Sequence, residues 1–272
     1  MKTLSKIYNG LIFLFLYAPI VVLIVFSFND SRSRSVWHGY ISLRWYEELF
    51  RDKEILNALL VTLTVAVIAT VAATIIGTAA AVGMHGMNAK LRRVMMAVNN
   101  IPMVNPEIVT GISLLLMFAF IYRATGWFQL GYGTLLISHI TFCIPYVVLQ
   151  VMPKLRQMNP HMYEAALDLG CRPFPAFFKV MLPEILPGVV TGALMAFTMS
   201  LDDFVISLFT SGSSAQNLSV TIYSMVKRRV TPEINALSTL MFGAVLILLI
   251  LVNVSQIRGQ SKTQRPGVIA GR

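Results

Sequence analysis

Six long apolar stretches restrict what this sequence can fold into more than any other feature. They run from Ile7 to Phe28, Ala58 to Met84, Ile101 to Tyr122, Tyr132 to Met152, Ile185 to Phe209 and Leu237 to Val254. A helix of roughly 20 mostly apolar residues crosses the ~30 Å hydrocarbon core of a bilayer, and each stretch is about that long or longer. Unpaired backbone groups are intolerable in lipid, so a spanning segment is either a helix or part of a closed barrel. Long unbroken runs, rather than short alternating ones, select helices. The expected fold class is an all-α integral membrane protein with six transmembrane helices in a single domain over 1–272.

Composition agrees. The 272 residues are 56% hydrophobic and only 12% charged, with a mean hydropathy of +0.70, too apolar for an ordinary soluble domain. Lys2 and Lys6 precede the first stretch in the manner of a secretory signal, but no small-x-small cleavage pattern follows Phe26-Ser27-Phe28-Asn29-Asp30. A retained first span is expected. Six spans place both termini on one side. With the termini inside, the inner segments hold 13 Lys and Arg and the outer ones 9, which favours cytoplasmic termini. The net charge of +10 is accounted for by orientation and headgroup contact, so no nucleic-acid partner is implied.

Several chemistries are absent from the pattern. No Gly-x4-Gly-Lys-Ser/Thr phosphate loop occurs, so this chain is not expected to hold ATP. His38, His85, His139 and His161 lie in separate segments, and Cys143 and Cys171 have no metal-ligand spacing. No metal, no cofactor and no catalytic role are expected, and both cysteines read as free thiols.

The segments between and within the spans carry finer expectations. Trp37, Trp45 and Tyr46, with Leu43, Leu49 and Phe50 at helical spacing, predict a short amphipathic helix at the outer surface. Small residues crowd the second span, predicting a packed helix that neighbours approach closely. Asn105 suits an N-cap, Pro106 a first turn and Glu107 the positive helix end. His139 reads as an interhelical hydrogen-bond partner. Residues Gln256 to Arg272 read as a short basic tail.

The loop after the fourth span is the most specific segment. Asn159 caps a helix started by Pro160, sustained by Ala165, Ala166 and Leu167 and ended by Gly170. Pro173 starts a second helix running to about Leu182. Glu164-Ala165-Ala166, then Gly170, Val180 and Leu182-Pro183 at fixed spacing resemble the EAA loop of ABC importer permeases. That resemblance implies a type I ABC importer permease architecture and a cytoplasmic coupling loop over 153–184. Glu164, Ala165, Ala166, Asp168, Gly170, Leu182 and Pro183 would then dock on a separate ATP-binding subunit.

The fifth span contains Asp202 and Asp203, and an ionisable group at the bilayer centre costs about 2.5–3.5 kcal/mol on insertion scales. Either they pair with Lys227, Arg228, Arg229 or a partner's basic residue, or they attract a cationic substrate. Glu107 and Tyr223 are further candidates for the substrate path. Together Tyr17-Ala18-Pro19, Ser27-Phe28-Asn29, Arg44-Trp45-Tyr46, Ser138-His139, Ser200-Leu201-Asp202-Asp203 and Pro232-Glu233-Ile234-Asn235 resemble the spermidine/putrescine permease family. This implies polyamine import with an ATPase dimer, a second homologous permease and an extracytoplasmic substrate-binding protein, in the bacterial inner membrane. Another small organic solute such as an amino-acid derivative or opine, ferric iron, or a secondary transporter without an ATPase are the alternatives.

Overall fold

The computed structural model describes residues 2–30, 41–228 and 233–263. Trp37, His38, Arg229, Pro232, the Arg228 side chain and the tail beyond Thr263 lie outside the described residues. The described chain is helical apart from one isolated bridge between Asn29 and Ile41. Among the described residues five helices are long and apolar enough to cross a membrane, and Glu233–Ile247 is a shorter apolar segment. Packing divides the described residues into two compact units, one from 1–60 and 218–250 and the other from 61–217 and 251–263.

In the first unit, α1 (Lys2–Ser27) leads to α2 (Arg44–Arg51), the short amphipathic helix expected at this position. Its apolar face buries Trp45 and Leu49 with Ile55, Ala58, Leu218, Ala236 and Leu237. Polar contacts fasten α2 to the end of α1. Trp45 Nε1 donates to Asn29 O at 2.7 Å, and Ser27 Oγ lies 2.8 Å from the Tyr46 hydroxyl. Arg44 Nε donates to Glu48 at 2.8 Å, and that bond raises the guanidinium above its ordinary pKa. The unit also contains the start of α3 (Lys53–His85), α11 (Leu218–Arg228) and much of α12 (Glu233–Thr263).

The second unit is built on α6 (Tyr132–Gln157), whose Cys143, Val147, Val148, Val151 and Leu155 are fully buried. It packs along α9 (Leu182–Asp202). Glycines make the approach possible. A Cβ on Gly188 would stand 2.8 Å from Gln150 O, and one on Gly192 would stand 3.2 Å from Val147 Cα. On the α3 side, a Cβ on Gly77 would meet Val147 Cβ at 2.8 Å. The small residues of α3 are buried as expected at Ala66, Ala69, Ala73 and Ala81, but Val67, Val71, Ile75 and Ile76 are exposed. One stripe of the second span is packed and the other bare, which suits a helix facing apolar solvent on one side.

Two helix limits differ from expectation. Asn105 does not cap the third span. It closes α4 (Ala89–Val104), donating to Ile101 O, and Pro106 stands at the N-cap of α5 (Glu107–Thr125). Proline disfavours helical backbone in the residue before it, so the chain turns at Asn105. The third span therefore begins at Glu107, and Ile101 belongs to α4. The fifth span is also not continuous to Phe209. It breaks after Asp202 and resumes as α10 (Val205–Thr210).

Candidate functional site

The loop after α6 forms the projection that the sequence predicts. Asn159 Oδ1 accepts the His161 N–H at 3.0 Å at the start of α7 (Pro160–Asp168). At its end Gly170 takes φ +82°. Gly170 N–H donates to Leu167 O at 2.9 Å and Cys171 N–H to Ala166 O at 3.0 Å. These two bonds make a Schellman motif, which needs the left-handed residue that glycine supplies most cheaply. Gly170 thus turns the chain sharply away from α7.

Beyond this corner the chain departs from the expected second short helix. Helix α8 (Pro173–Ala176) runs through one π-helical turn (Phe177–Met181) into α9 without a stop at Leu182. Pro183 has no N–H to donate, and the wide turn absorbs that mismatch, with Leu182 N–H bonding back to Phe177 O. One rod therefore connects the projection to the buried site at the far end of α9.

Five of the seven expected coupling residues, Glu164 to Gly170, lie on this projection, and Leu182 and Pro183 lie at the head of α9. Glu164 is exposed and lies 3.3 Å from His161 Nδ1. Ala165, Asp168 and Gly170 are exposed and Ala166 is half-buried. Leu182 packs against the core and Pro183 is exposed at the head of α9. Apolar surface accompanies them: Leu169 is 89% and Phe174 75% exposed. Leu169 stands at the corner after α7 and Phe174 on α8, so bare apolar surface flanks the Gly170 turn.

The break after α9 is a second site, and its chemistry is polar. Asp203 is only 7% exposed. Its Oδ2 accepts the Ser207 N–H at 2.8 Å and the Ser207 hydroxyl at 2.7 Å, and its Oδ1 accepts the Ile206 N–H at 3.3 Å. The carboxylate thus caps α10, where the positive helix end favours it. A capping aspartate competes with the backbone for N–H groups, which is why the fifth span breaks here.

Ser207 Oγ has further partners in His139 Nε2 at 2.9 Å and Asn217 Nδ2 at 2.7 Å. Donor counting assigns the protons. The hydroxyl has one proton, so when Ser207 donates it to Asp203 the Asn217 amide and a His139 Nε2–H are the donors to Ser207. In the neutral imidazole Nδ1 then accepts from Ser200 Oγ, 2.7 Å away. Asn217 also donates to Asp203 O at 3.0 Å. His139 is the interhelical partner expected from sequence, joining α6 to α9 and α10. Ser207 and Asn217 were not legible in advance, because their role depends on the break that places Asp203 beside the start of α10.

The remaining candidates lie apart from this knot. Asp202, the last residue of α9, is exposed, and among the described residues no ion pair involves it. Glu107 is exposed at the first position of α5. Tyr223 is exposed on α11, with Lys227 Nζ 5.9 Å from its ring centroid.

Comparison with known proteins places this architecture. The family model described as binding-protein-dependent transport system inner membrane component matches residues 73–258. The chain is 43% identical over 240 residues to the putrescine transport system permease protein PotI of Escherichia coli (strain K12), covering 86% of this chain and 83% of that protein. It is 39% identical over 253 residues to the spermidine/putrescine transport system permease protein PotC of the same strain, covering 93% and 92%. Among solved structures, a bacterial ABC transporter involved in alginate import matches with TM-score 0.73 at 15% identity over 94% of this chain and 95% of that one. The MetNI methionine ABC transporter matches with TM-score 0.58 at 21% identity, covering 83% and 100%. The fold is that of ABC importer permeases, and the chain belongs to the family of binding-protein-dependent transport system inner-membrane components.

Proposed function

We propose that this chain is one of two permease subunits of an ATP-driven importer of polyamines in a bacterial inner membrane, with both termini cytoplasmic. The observation that carries the reading is the exposed α7 projection closed by Gly170, with Leu169 and Phe174 bare beside it. A separate ATP-binding subunit dimer grips Glu164, Ala165, Ala166, Asp168 and Gly170, with Leu182 and Pro183 at the root of the grip. Its closure moves α7. Because α8, the π turn and α9 form one rod, that movement reaches the break at Asp203. A loaded extracytoplasmic binding protein docks on the other side, the paired permeases open outward, and ATP hydrolysis resets them. The two ends are coupled because each ligand contacts the two states differently.

The polyamine substrate rests on the names of the relatives and on Asp202. A carboxylate at membrane depth is too costly to face lipid, so it faces the path or a partner. A carboxylate and an ammonium 4 Å apart attract by about 1 kcal/mol in water and about 4 kcal/mol at the dielectric of a protein surface. Asp203, already committed to α10, acts as the holder of the break, while Asp202 offers the free charge. Glu107 and Tyr223 are the secondary path residues.

Uptake of labelled putrescine and spermidine by cells expressing the complete transporter tests this. Wild type accumulates both. Asp202→Asn raises KM several-fold with little loss of maximal rate, and Gly170→Pro abolishes uptake without loss of membrane expression. Wild-type cells that take up no polyamine, while the ATPase responds to another loaded binding protein, would retain the importer and reject the substrate.

A further inference from the structure

Helix α4 is the element that the transport reading leaves unused. None of its 16 residues is buried, and none is acidic. Its Arg92, Met96 and Asn99 face is half-buried, with Met96 against the core, whereas Leu91, Val94, Val98 and Ile101 are exposed on the other side. That exposed stripe recurs at helical spacing, the pattern of a helix lying at a membrane surface.

Its charge is placed against its own dipole. Lys90, Arg92 and Arg93 occupy the first turns, where the positive helix end disfavours cations. Such a placement calls for a compensating anion. None is supplied internally: among the described residues no carboxylate pairs with Lys90, Arg92, Arg93 or Arg156. Arg92 Nη1 reaches back to His85 O, 3.4 Å away at the end of α3. The charge of Arg156, on the last turn of α6, acts on the same His85. His85 Nδ1 is buried there without a hydrogen-bond partner. Arg92 and the orphaned ring nitrogen of His85 therefore stand at the end of α3, α4 packs against α6, whose last turn carries Arg156, and an apolar stripe leads away along α4.

We propose that this junction binds an anionic phospholipid, with its phosphate on Arg92 and Arg156 and its acyl chains along Leu91, Val94, Val98 and Ile101. A guanidinium fork matches the planar, two-point geometry of a phosphate. Basic pockets between helix ends at the membrane surface hold anionic headgroups in this way. The apolar stripe selects a lipid over a free anion, because inorganic phosphate would leave it bare. Arg156 stands three positions before Asn159, so a lipid held here steadies the α6 end from which the α7 projection springs. The site is independent of substrate identity and of which side the termini occupy.

The complete transporter, purified in mild detergent and offered equal phosphatidylglycerol and phosphatidylcholine, tests the assignment through the lipids retained in native mass spectra. Wild type retains phosphatidylglycerol preferentially. In R92Q/R156Q that preference falls about thirtyfold, the effect of removing two basic residues at an anionic surface, while R92K/R156K keeps most of it. The same spectra report whether each variant assembles. Should R92Q/R156Q fail to assemble, Arg156→Gln alone, at an exposed position, carries the test and loses about fivefold. Equal retention of the two lipids by wild type, or an undiminished preference in the glutamine variants, overturns the proposal. Displacement of bound lipid by an equal concentration of inorganic phosphate would mark a free-anion pocket and overturn it equally.

Discussion

His139 Nε2 lies 2.9 Å from Ser207 Oγ in a fully buried site, and that hydroxyl also meets Asp203 and Asn217. Removing the Ser207 hydroxyl therefore takes one hydrogen bond from each of three groups at once. Ser207→Ala should destabilise the protein by about 1–3 kcal/mol, the cost of burying unsatisfied polar groups. Asp203→Ala should cost about 1 kcal/mol more than Asp203→Asn, because asparagine caps a helix nearly as well as aspartate. Thermal unfolding of the purified complex measures both, and an unchanged midpoint in Ser207→Ala would remove the structural importance of the knot.

Gly77 and Gly83 lie on the same helix but in different surroundings. A Cβ at Gly77 meets Val147 Cβ at 2.8 Å, whereas nothing lies within 4 Å of one at Gly83. Gly77→Ala should lose about 1–3 kcal/mol to overpacking, and Gly83→Ala should be neutral or slightly stabilising. Equal unfolding midpoints for the two variants would contradict the close α3–α6 approach.

At Gly170 the backbone at φ +82° makes any Cβ unfavourable even though no atom crowds it. Gly170→Ala should cost about 1–2 kcal/mol locally, and Gly170→Asn less, since asparagine tolerates the left-handed region. If the corner sets the pose of the projection, uptake falls in the order glycine, asparagine, alanine at equal expression. Uptake insensitive to all three would remove the corner from the coupling mechanism.

Trp45 donates from a buried indole to the backbone of Asn29. Trp45→Phe keeps most of the apolar contact with Leu49 and Leu237 but removes that hydrogen bond. A loss of about 0.5–1.5 kcal/mol is expected, read as a lower unfolding midpoint of the complex, and an unchanged midpoint would remove this bond from the attachment of α2.

The sequence alone determined the helical membrane architecture, because a bilayer accepts little besides apolar helices and those are visible as runs. It also determined the form of the projection, since Asn159, Pro160 and Gly170 act on backbone within a few residues of themselves. The second helix of the loop was legible at its start, Pro173, but not at its end, because a π turn that carries it into α9 leaves no residue signature. Likewise Asn105 and Pro106 marked a helix boundary, yet which helix each served depended on how the chain continued past it. Tertiary structure decided the difference between Asp202 and Asp203. Adjacent and chemically identical in sequence, they part because burial forces one carboxylate to find donors, which Ile206, Ser207 and the start of α10 supply. The other, at the exposed end of α9, is left free to interact elsewhere. Such a division depends on His139, 64 positions away, and on Asn217 beyond the break. Contacts between residues distant in the chain carry no local signal, so only the folded structure could assign them.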